Sequence, residues 1–358
     1  MADTPASGPA SGSTSRWAHA APALWALAML ALATRNAGVY DLLVQEDRVV
    51  EWWTAFLFVV AGVVFAVAAW RGRRLGDAGV ALFCLAAAGE EVSWGQRILG
   101  FTPSATFLEH NIQQEANLHN LVEAFGQPKW TFVAVLVAYG VLLPLLARTA
   151  RGQALADRVR LTVPPAGVAL WFGAAALLLV WYPVRLTGEW VEALGGALFL
   201  AAASGGVRRF AIGATIALGL AIVAERAVAA IPADPAKVAC ARAEVAALLG
   251  DVRADTASAL LYDGGRTHRR LQSLWRDGEL DPAAARAFRS APCSEVGGAE
   301  ARRRYGIDPW GSAYWLRLRS DPDGTHLTIY SFGPNRRRDW LQGRSESGDD
   351  VSAAATIR

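Results

Sequence analysis

Between residues 17 and 231 the chain carries seven apolar stretches of near-membrane length, at about 17–34, 52–70, 77–90, 130–147, 165–184, 190–204 and 210–230. A helix needs roughly 20 apolar residues to cross the ~30 Å hydrocarbon core of a bilayer, so each stretch reads as a candidate span. The third and sixth are short for the task. Of the 358 residues 53% are hydrophobic and 19% charged, where a soluble protein carries about a quarter charged. That shortage is confined to the first part, because residues 232–358 are polar and charged throughout. The fold class expected is therefore an α-helical polytopic membrane domain of about seven spans at 17–231, joined to a small α+β domain at 232–358. Residues 1–16, mostly Ser, Gly, Pro, Ala and Thr, read as a disordered tail. A purely cytosolic enzyme is excluded.

Arginine placement orients the spans. Arg71, Arg73 and Arg74 follow the second stretch, Arg148, Arg151, Arg158 and Arg160 the fourth, and Arg208 and Arg209 the sixth. The alternate connections hold only Arg35 and Arg48, then Arg97 and Lys129, then Arg185. By the positive-inside rule the N-terminus is cytoplasmic and the C-terminal domain lies outside, in the periplasm of a bacterial inner membrane. The first stretch is read as a retained helix, although Ala31-Leu32-Ala33 resembles a signal cleavage site. In an oxidising periplasm Cys240 and Cys293 can pair, whereas Cys84 lies within an apolar run.

Some function classes drop out. A formal net charge of +3, with acidic residues interleaved among the arginines, offers no phosphate-tracking stripe, so nucleic acid is not an expected partner. No Walker loop or dinucleotide fingerprint occurs. The partners expected are the lipid bilayer and envelope proteins.

Charged side chains in or beside spans are costly and need partners. Here they gather at the predicted outer face: Glu51 at the start of the second helix, Glu90 and Glu91 at the end of the third, Glu189 and Glu192 at the start of the sixth. The densest part runs Gly89-Glu90-Glu91-Val92-Ser93-Trp94-Gly95-Gln96-Arg97, then Asn111-Ile112-Gln113-Gln114-Glu115-Ala116-Asn117-Leu118-His119-Asn120. If the first piece is helical, Glu90, Ser93 and Arg97 share a face. Glu115 and His119, four residues apart, suit the two ends of one metal site, with Glu90 or Glu91 as a further ligand or general base. Zinc or another divalent ion there would make a hydroxide nucleophile, and Ser93 would join the catalytic set. The alternative is a structural polar network of Glu51, Arg97, Asn117, Glu189 and Glu192 with their neighbours. Both readings stay open on the sequence.

Residues 40–205, through these two motifs together with Val50-Glu51-Trp52 and Glu189-Trp190-Val191-Glu192, resemble a group of uncharacterised bacterial polytopic membrane proteins. That resemblance implies a membrane fold and no activity. A looser likeness to seven-span alkaline ceramidases lacks their histidines: there is no His-x-x-x-His pair and none in the seventh stretch.

In the C-terminal part a helix is expected over about 236–262, with Val245, Leu248, Leu249, Val252, Ala259 and Leu260 on its apolar face and a stop at Tyr262-Asp263-Gly264-Gly265-Arg266. A partly helical stretch to Cys293 follows. Strands at Trp315–Arg319 and Leu327–Phe332 flank an Asp321-Pro322-Asp323-Gly324 turn. The long helix, the run Asp308-Pro309-Trp310-Gly311 with Tyr314, and Ile329-Tyr330-Ser331-Phe332-Gly333 make residues 236–352 resemble the C-terminal domain of the type II secretion major pseudopilin. The resemblance implies a structural or interaction role near a type II secretion or pilus-like assembly. It also implies a calcium loop, for which Asn335, Asp349 and Asp350 are the candidate ligands and beside which Arg336, Arg337 and Arg338 stand. Unlike a pseudopilin, the domain hangs from several spans. The alternative function is an integral-membrane metal-dependent hydrolase.

Overall fold

The computed structural model describes residues 14–45, 47–111, 113–118, 128–255, 266–291, 293, 296, 298–336 and 349–357. The chain forms two compact units, Met1–Glu91 with Gln127–Glu225, and Val92–Gly126 with Arg226–Arg358. The division at Arg226 lies near the boundary read at 231/232. The allocation of Val92–Gly126 to the C-terminal unit does not follow from the sequence reading, which kept it in the membrane domain.

The first unit is helical. Val49–Gly72, Lys129–Leu146 and Val207–Ala229 are long and apolar enough to cross a membrane, and Ala20–Arg35 and Ala166–Trp181 are shorter apolar helices. Two further helices, Leu75–Glu91 and Thr187–Ser204, pack along Val49–Gly72. The 24-residue helix Val49–Gly72 rises about 36 Å, more than a bilayer core needs. Helices of this unit approach closely at small residues. A Cβ on Gly62 would lie 2.9 Å from Leu85 Cγ, and one on Gly140 would lie 2.0 Å from Phe172 Cγ. Gly140 sits in a π-helical turn, Ala138–Leu142. There Tyr139 stacks on Phe199 at 5.2 Å and meets Phe172 edge-on at 5.9 Å. Phe58, Phe83 and Phe199 complete an aromatic core.

Polar stitches hold the helix ends. Asp77, wholly buried, pairs with Arg74 at 2.9 Å and accepts from the Thr162 backbone N–H at 2.7 Å and hydroxyl at 3.0 Å. Elsewhere Arg185 pairs with Asp41, and Tyr40 donates to the Arg185 carbonyl at 2.6 Å while accepting from Trp190 Nε1 at 3.1 Å.

In the second unit the helix Pro235–Asp255 lays Ala241, Val245, Leu248 and Val252 on a four-stranded antiparallel sheet. The expected continuation to 262, with Ala259 and Leu260, lies outside the described residues. The strands run in order β1 (Arg266–Arg270), β2 (Trp315–Asp321), β3 (Gly324–Ser331) and β4 (Val351–Ile357). The β2–β3 hairpin turns where expected, Asp321 pairing with Gly324. Two strands were not foreseen. Arg266, expected to end a helix, instead opens β1, and the chain after Asp350 pairs along β3. Leu316, Leu318, Leu327 and Ile329 face the helix. Alternation then sends Trp315, Arg317 and Arg319 to the other side. Cys240 and Cys293 form a disulfide with Cα atoms 5.2 Å apart, tying the long helix to the chain before the helix Ala299–Tyr305.

Candidate functional site

From Val92 onward the polar motif after the third apolar stretch belongs to the second unit, and its side chains show why. After the helix ends at Glu91, Ser93, Trp94 and Gly95 all take positive φ (46°, 51° and 85°) and the chain turns sharply. Left-handed backbone at non-glycine residues costs about 1–2 kcal/mol each, so something must hold it. Ser93, fully buried, donates from Oγ to Glu115 Oε2 at 2.6 Å and accepts from Asn117 Nδ2 at 3.2 Å. Asn117 also donates to Glu115 Oε2 at 3.1 Å. Asn111 adds a second brace, donating to Asn117 O and Oδ1 at 2.8 Å and accepting from Gln113 N–H at 2.7 Å.

The same segment clasps the C-terminal chain. Gln96 Nε2 donates to the Gly311 carbonyl at 3.2 Å, and its Oε1 accepts from Ala116 N–H at 2.7 Å. Gln114 Nε2 donates to the Tyr305 carbonyl at 2.8 Å and to the Leu108 carbonyl at 3.3 Å. Arg336 reaches back, with Nη1 donating to the Gln96 carbonyl at 2.8 Å and Nη2 to the Trp310 carbonyl. Leu108, Tyr305, Ile307 and Ala313 make a small apolar core beneath these bonds. Gly311 matters here: φ is +87°, and a Cβ would lie 3.2 Å from the Phe101 carbonyl oxygen. A side chain at 311 would push the segment away.

Asp308 explains the spacing of the two C-terminal motifs. Its Oδ1 accepts from Trp310 N–H at 2.9 Å and Ser312 N–H at 2.8 Å. Its Oδ2 accepts from Ser331 Oγ at 2.5 Å, and that hydroxyl accepts from Gly333 N–H at 3.0 Å. The Asp-Pro-Trp-Gly turn and the Tyr-Ser-Phe-Gly strand end are thus one hydrogen-bonded unit. Complete burial pushes the Asp308 carboxyl up to about 6, against the opposing pull of Ser331, Ser312, Arg336 and Trp310.

A second buried charge lies deeper. Glu244, inaccessible on the long helix, takes a fork from Arg302 (Nη1 to Oε2 and Nη2 to Oε1, both 3.2 Å) and a 2.7 Å bond from Tyr314. Arg302 also donates to the Ile307 carbonyl at 3.0 Å. Burial, reinforced by the Glu244 carboxylate, holds the Tyr314 phenol well above its usual range.

The predicted site residues separate accordingly. Ser93, Glu115 and Asn117 come together. Glu90 and Glu91 end their helix in the first unit, so no i, i+3, i+7 face joins Glu90, Ser93 and Arg97; the Arg97 side chain is outside the described set. Residues 113–118 are not helical, so Glu115 does not begin the helical turn expected to reach His119, which is itself outside the described residues. Glu51 accepts from Asp47 N–H at the start of its helix, a capping role. Glu189 lies in the first turn of the helix Thr187–Ser204, where negative charge suits the helix dipole, and Glu192 follows in the next turn.

At the expected calcium loop, Asn335 N–H donates to Asp349 Oδ2 at 3.1 Å and Asp350 follows, while 337–348 lie outside the described residues. Asn335, Asp349 and Asp350 supply the oxygen donors that a hard cation takes, and Arg336 spends its guanidinium on Gln96 and Trp310. Among the described residues, Cys240, Glu244 and Cys293 are the grouping within reach of a single metal ion. The two sulfurs are bonded to each other, and Arg302 neutralises the carboxylate.

Sequence reading missed Glu244, Arg302, Asp77 and the inward role of Arg336, while Gln96 and Gln114 stand in the quoted motifs and bond backbone groups as the structural alternative has it. Glu244 carried a signal, being an acid beside Ala241, Val245 and Leu248 on an apolar stripe. Compared with family models, with curated proteins and with solved structures, the chain matches none.

Proposed function

We infer that this is a multi-pass bacterial inner-membrane protein whose pseudopilin-like domain has a structural or interaction role in a type II secretion or pilus-like assembly. All seven apolar stretches would span, with the N-terminus cytoplasmic and the second unit periplasmic. Support for the topology comes from arginines 71–74, 148–160 and 208–209 on alternate connections. A disulfide between Cys240 and Cys293 suits an oxidising compartment.

One observation carries the preference for interaction over catalysis. Five described polar side chains of the motif are taken up within the second unit: Ser93, Glu115 and Asn117 bond one another, and Gln96 and Gln114 bond the Gly311 and Tyr305 carbonyls. Glu115 Oε2 already accepts two hydrogen bonds, and Ser93 is inaccessible to a substrate. The metal-dependent hydrolase reading gains nothing from this arrangement.

For a partner the sheet offers its outward face, where Arg270 lies 4.7 Å over the Trp315 ring and His268 stacks on Trp315 at 4.8 Å. A photo-crosslinker placed at Arg319 in living cells should capture a secretion-system or pilus-like component, and Arg317→Glu should abolish the adduct. Unchanged secretion and piliation after deletion, with no adduct at Arg319, would refute the reading.

A further inference from the structure

A cavity of about 450 Å³ opens in the second unit between the clasp helix Ala105–His110 and the helices Leu271–Arg276, Arg286–Arg289 and Ala299–Tyr305. We propose that this cavity is a binding site for a phosphate monoester. Its volume falls in the range of small-ligand pockets. Trp275 and Tyr305, both buried, supply an aromatic wall. Arg276, Arg289 and Arg304 line it with His110, and Glu109 is the one carboxylate in the lining. Three guanidiniums against one carboxylate leave a formal excess of two positive charges with the imidazole neutral. A phosphate monoester carries about −1.5 to −2 near neutral pH, whereas a single carboxylate carries half of that.

Among the described residues, two of the three arginines make no side-chain ion pair. Among the described residues Arg289 has no side-chain acceptor; its backbone carbonyl is fixed by Arg303 Nη1 at 3.0 Å. Arg304 lies 5.3 Å over the Tyr305 ring, which orients the guanidinium while leaving its N–H edge for an oxyanion. Arg276 pairs with Asp277, at 3.4 Å on the surface, and that carboxylate is shared with Arg269. Planar guanidiniums suit the paired oxygens of a phosphate. Glu109 and His110 come from the clasp segment, so that segment supplies one wall of the cavity.

A water-soluble ester and a monoester lipid headgroup present the same chemistry. Two probes separate them: glycerol 3-phosphate, and short-chain phosphatidic acid in mixed micelles. Each is titrated calorimetrically into the full chain in non-ionic detergent. Saturable, salt-weakened binding is expected. Arg289→Ala and Arg304→Ala should each weaken it about tenfold or more, the loss expected for a charge-assisted contact. Arg319→Ala, the same charge change at an exposed sheet position, should leave it intact. Binding of glycerol 3-phosphate assigns a soluble ligand, and binding of phosphatidic acid alone assigns a lipid. The proposal is overturned if neither probe saturates a protein with its normal melting transition. Equal weakening by Arg319→Ala, or succinate binding as tightly as glycerol 3-phosphate, would overturn it too.

Discussion

Substituting Asp308→Asn should flatten a pH dependence that the buried carboxyl imposes on the second unit. In the folded chain this group titrates at about 6, against a usual 3.8, because burial disfavours the charged form more than its hydrogen bonds favour it. The folded state therefore holds the proton more tightly than the unfolded state. Its contribution is complete below about pH 3.8 and is lost as pH rises through about 6. Roughly two pK units correspond to about 3 kcal/mol, of which about 2 falls between ~pH 4.5 and ~pH 7.5. Asparagine cannot titrate, but it has a separate cost. Ser331 Oγ donates to Oδ2, so an amide N–H in that place leaves the Ser331 hydroxyl proton without its acceptor, about 1 kcal/mol at every pH. The slope is the readout, and the offset is not. Thermal unfolding of both proteins in detergent across this range should show the wild type losing about 2 kcal/mol relative to the variant. Parallel curves would refute the buried-carboxyl argument. Ser331→Ala, which removes the donor to Oδ2, should move the wild-type window to higher pH.

Other perturbations test the remaining supports. Glu244→Gln strands the buried Arg302 guanidinium and should cost about 3–5 kcal/mol in thermal unfolding, whereas replacing both residues with methionine should recover much of that loss. Reduction of Cys240–Cys293 opens a 53-residue separation and should cost about 4 kcal/mol on chain-entropy grounds, read as a lower melting temperature with reductant; an unchanged transition would count against the bridge. Gly140→Ala places a Cβ against Phe172 and should destabilise the helical unit by about 1–3 kcal/mol or more, while Gly219→Ala, with open space around it, should be neutral in the same melt.

The readable parts of the fold are those written locally. Val49–Gly72 and Val207–Ala229 announce themselves by length and apolarity, and the β2–β3 hairpin by its Asp-Pro-Asp-Gly turn. β1 does not, because Arg-Thr-His-Arg-Arg has no apolar alternation and becomes a strand only through pairing with β2. β4 is similarly hidden, since Val-Ser-Ala-Ala-Ala-Thr-Ile lacks strong strand formers at its centre. For the site, composition was legible and location was not. Ser93, Glu115 and Asn117 stood out as a polar cluster, but position between two apolar stretches suggested a membrane face. What places them with the C-terminal chain are contacts such as Gln96 with Gly311 and Arg336 with Gln96, 215 and 240 residues apart in sequence. No local pattern carries such pairings.

The central claim is that residues 92–118 are a built part of the second unit. Hydrogen–deuterium exchange on the full chain in detergent tests it most directly, comparing wild type with Arg336→Ala. The account predicts slow exchange in the wild type at Gly100, Asn111 and Ala116, whose N–H groups donate to Gln96 O, Phe107 O and Gln96 Oε1. Loss of the Arg336 bonds to Gln96 and Trp310 should speed exchange at Gly100 and Ala116 while leaving Val49–Gly72 unchanged. Unprotected exchange throughout 92–118 in the wild type, or protection that Arg336→Ala does not alter, would contradict the clasp.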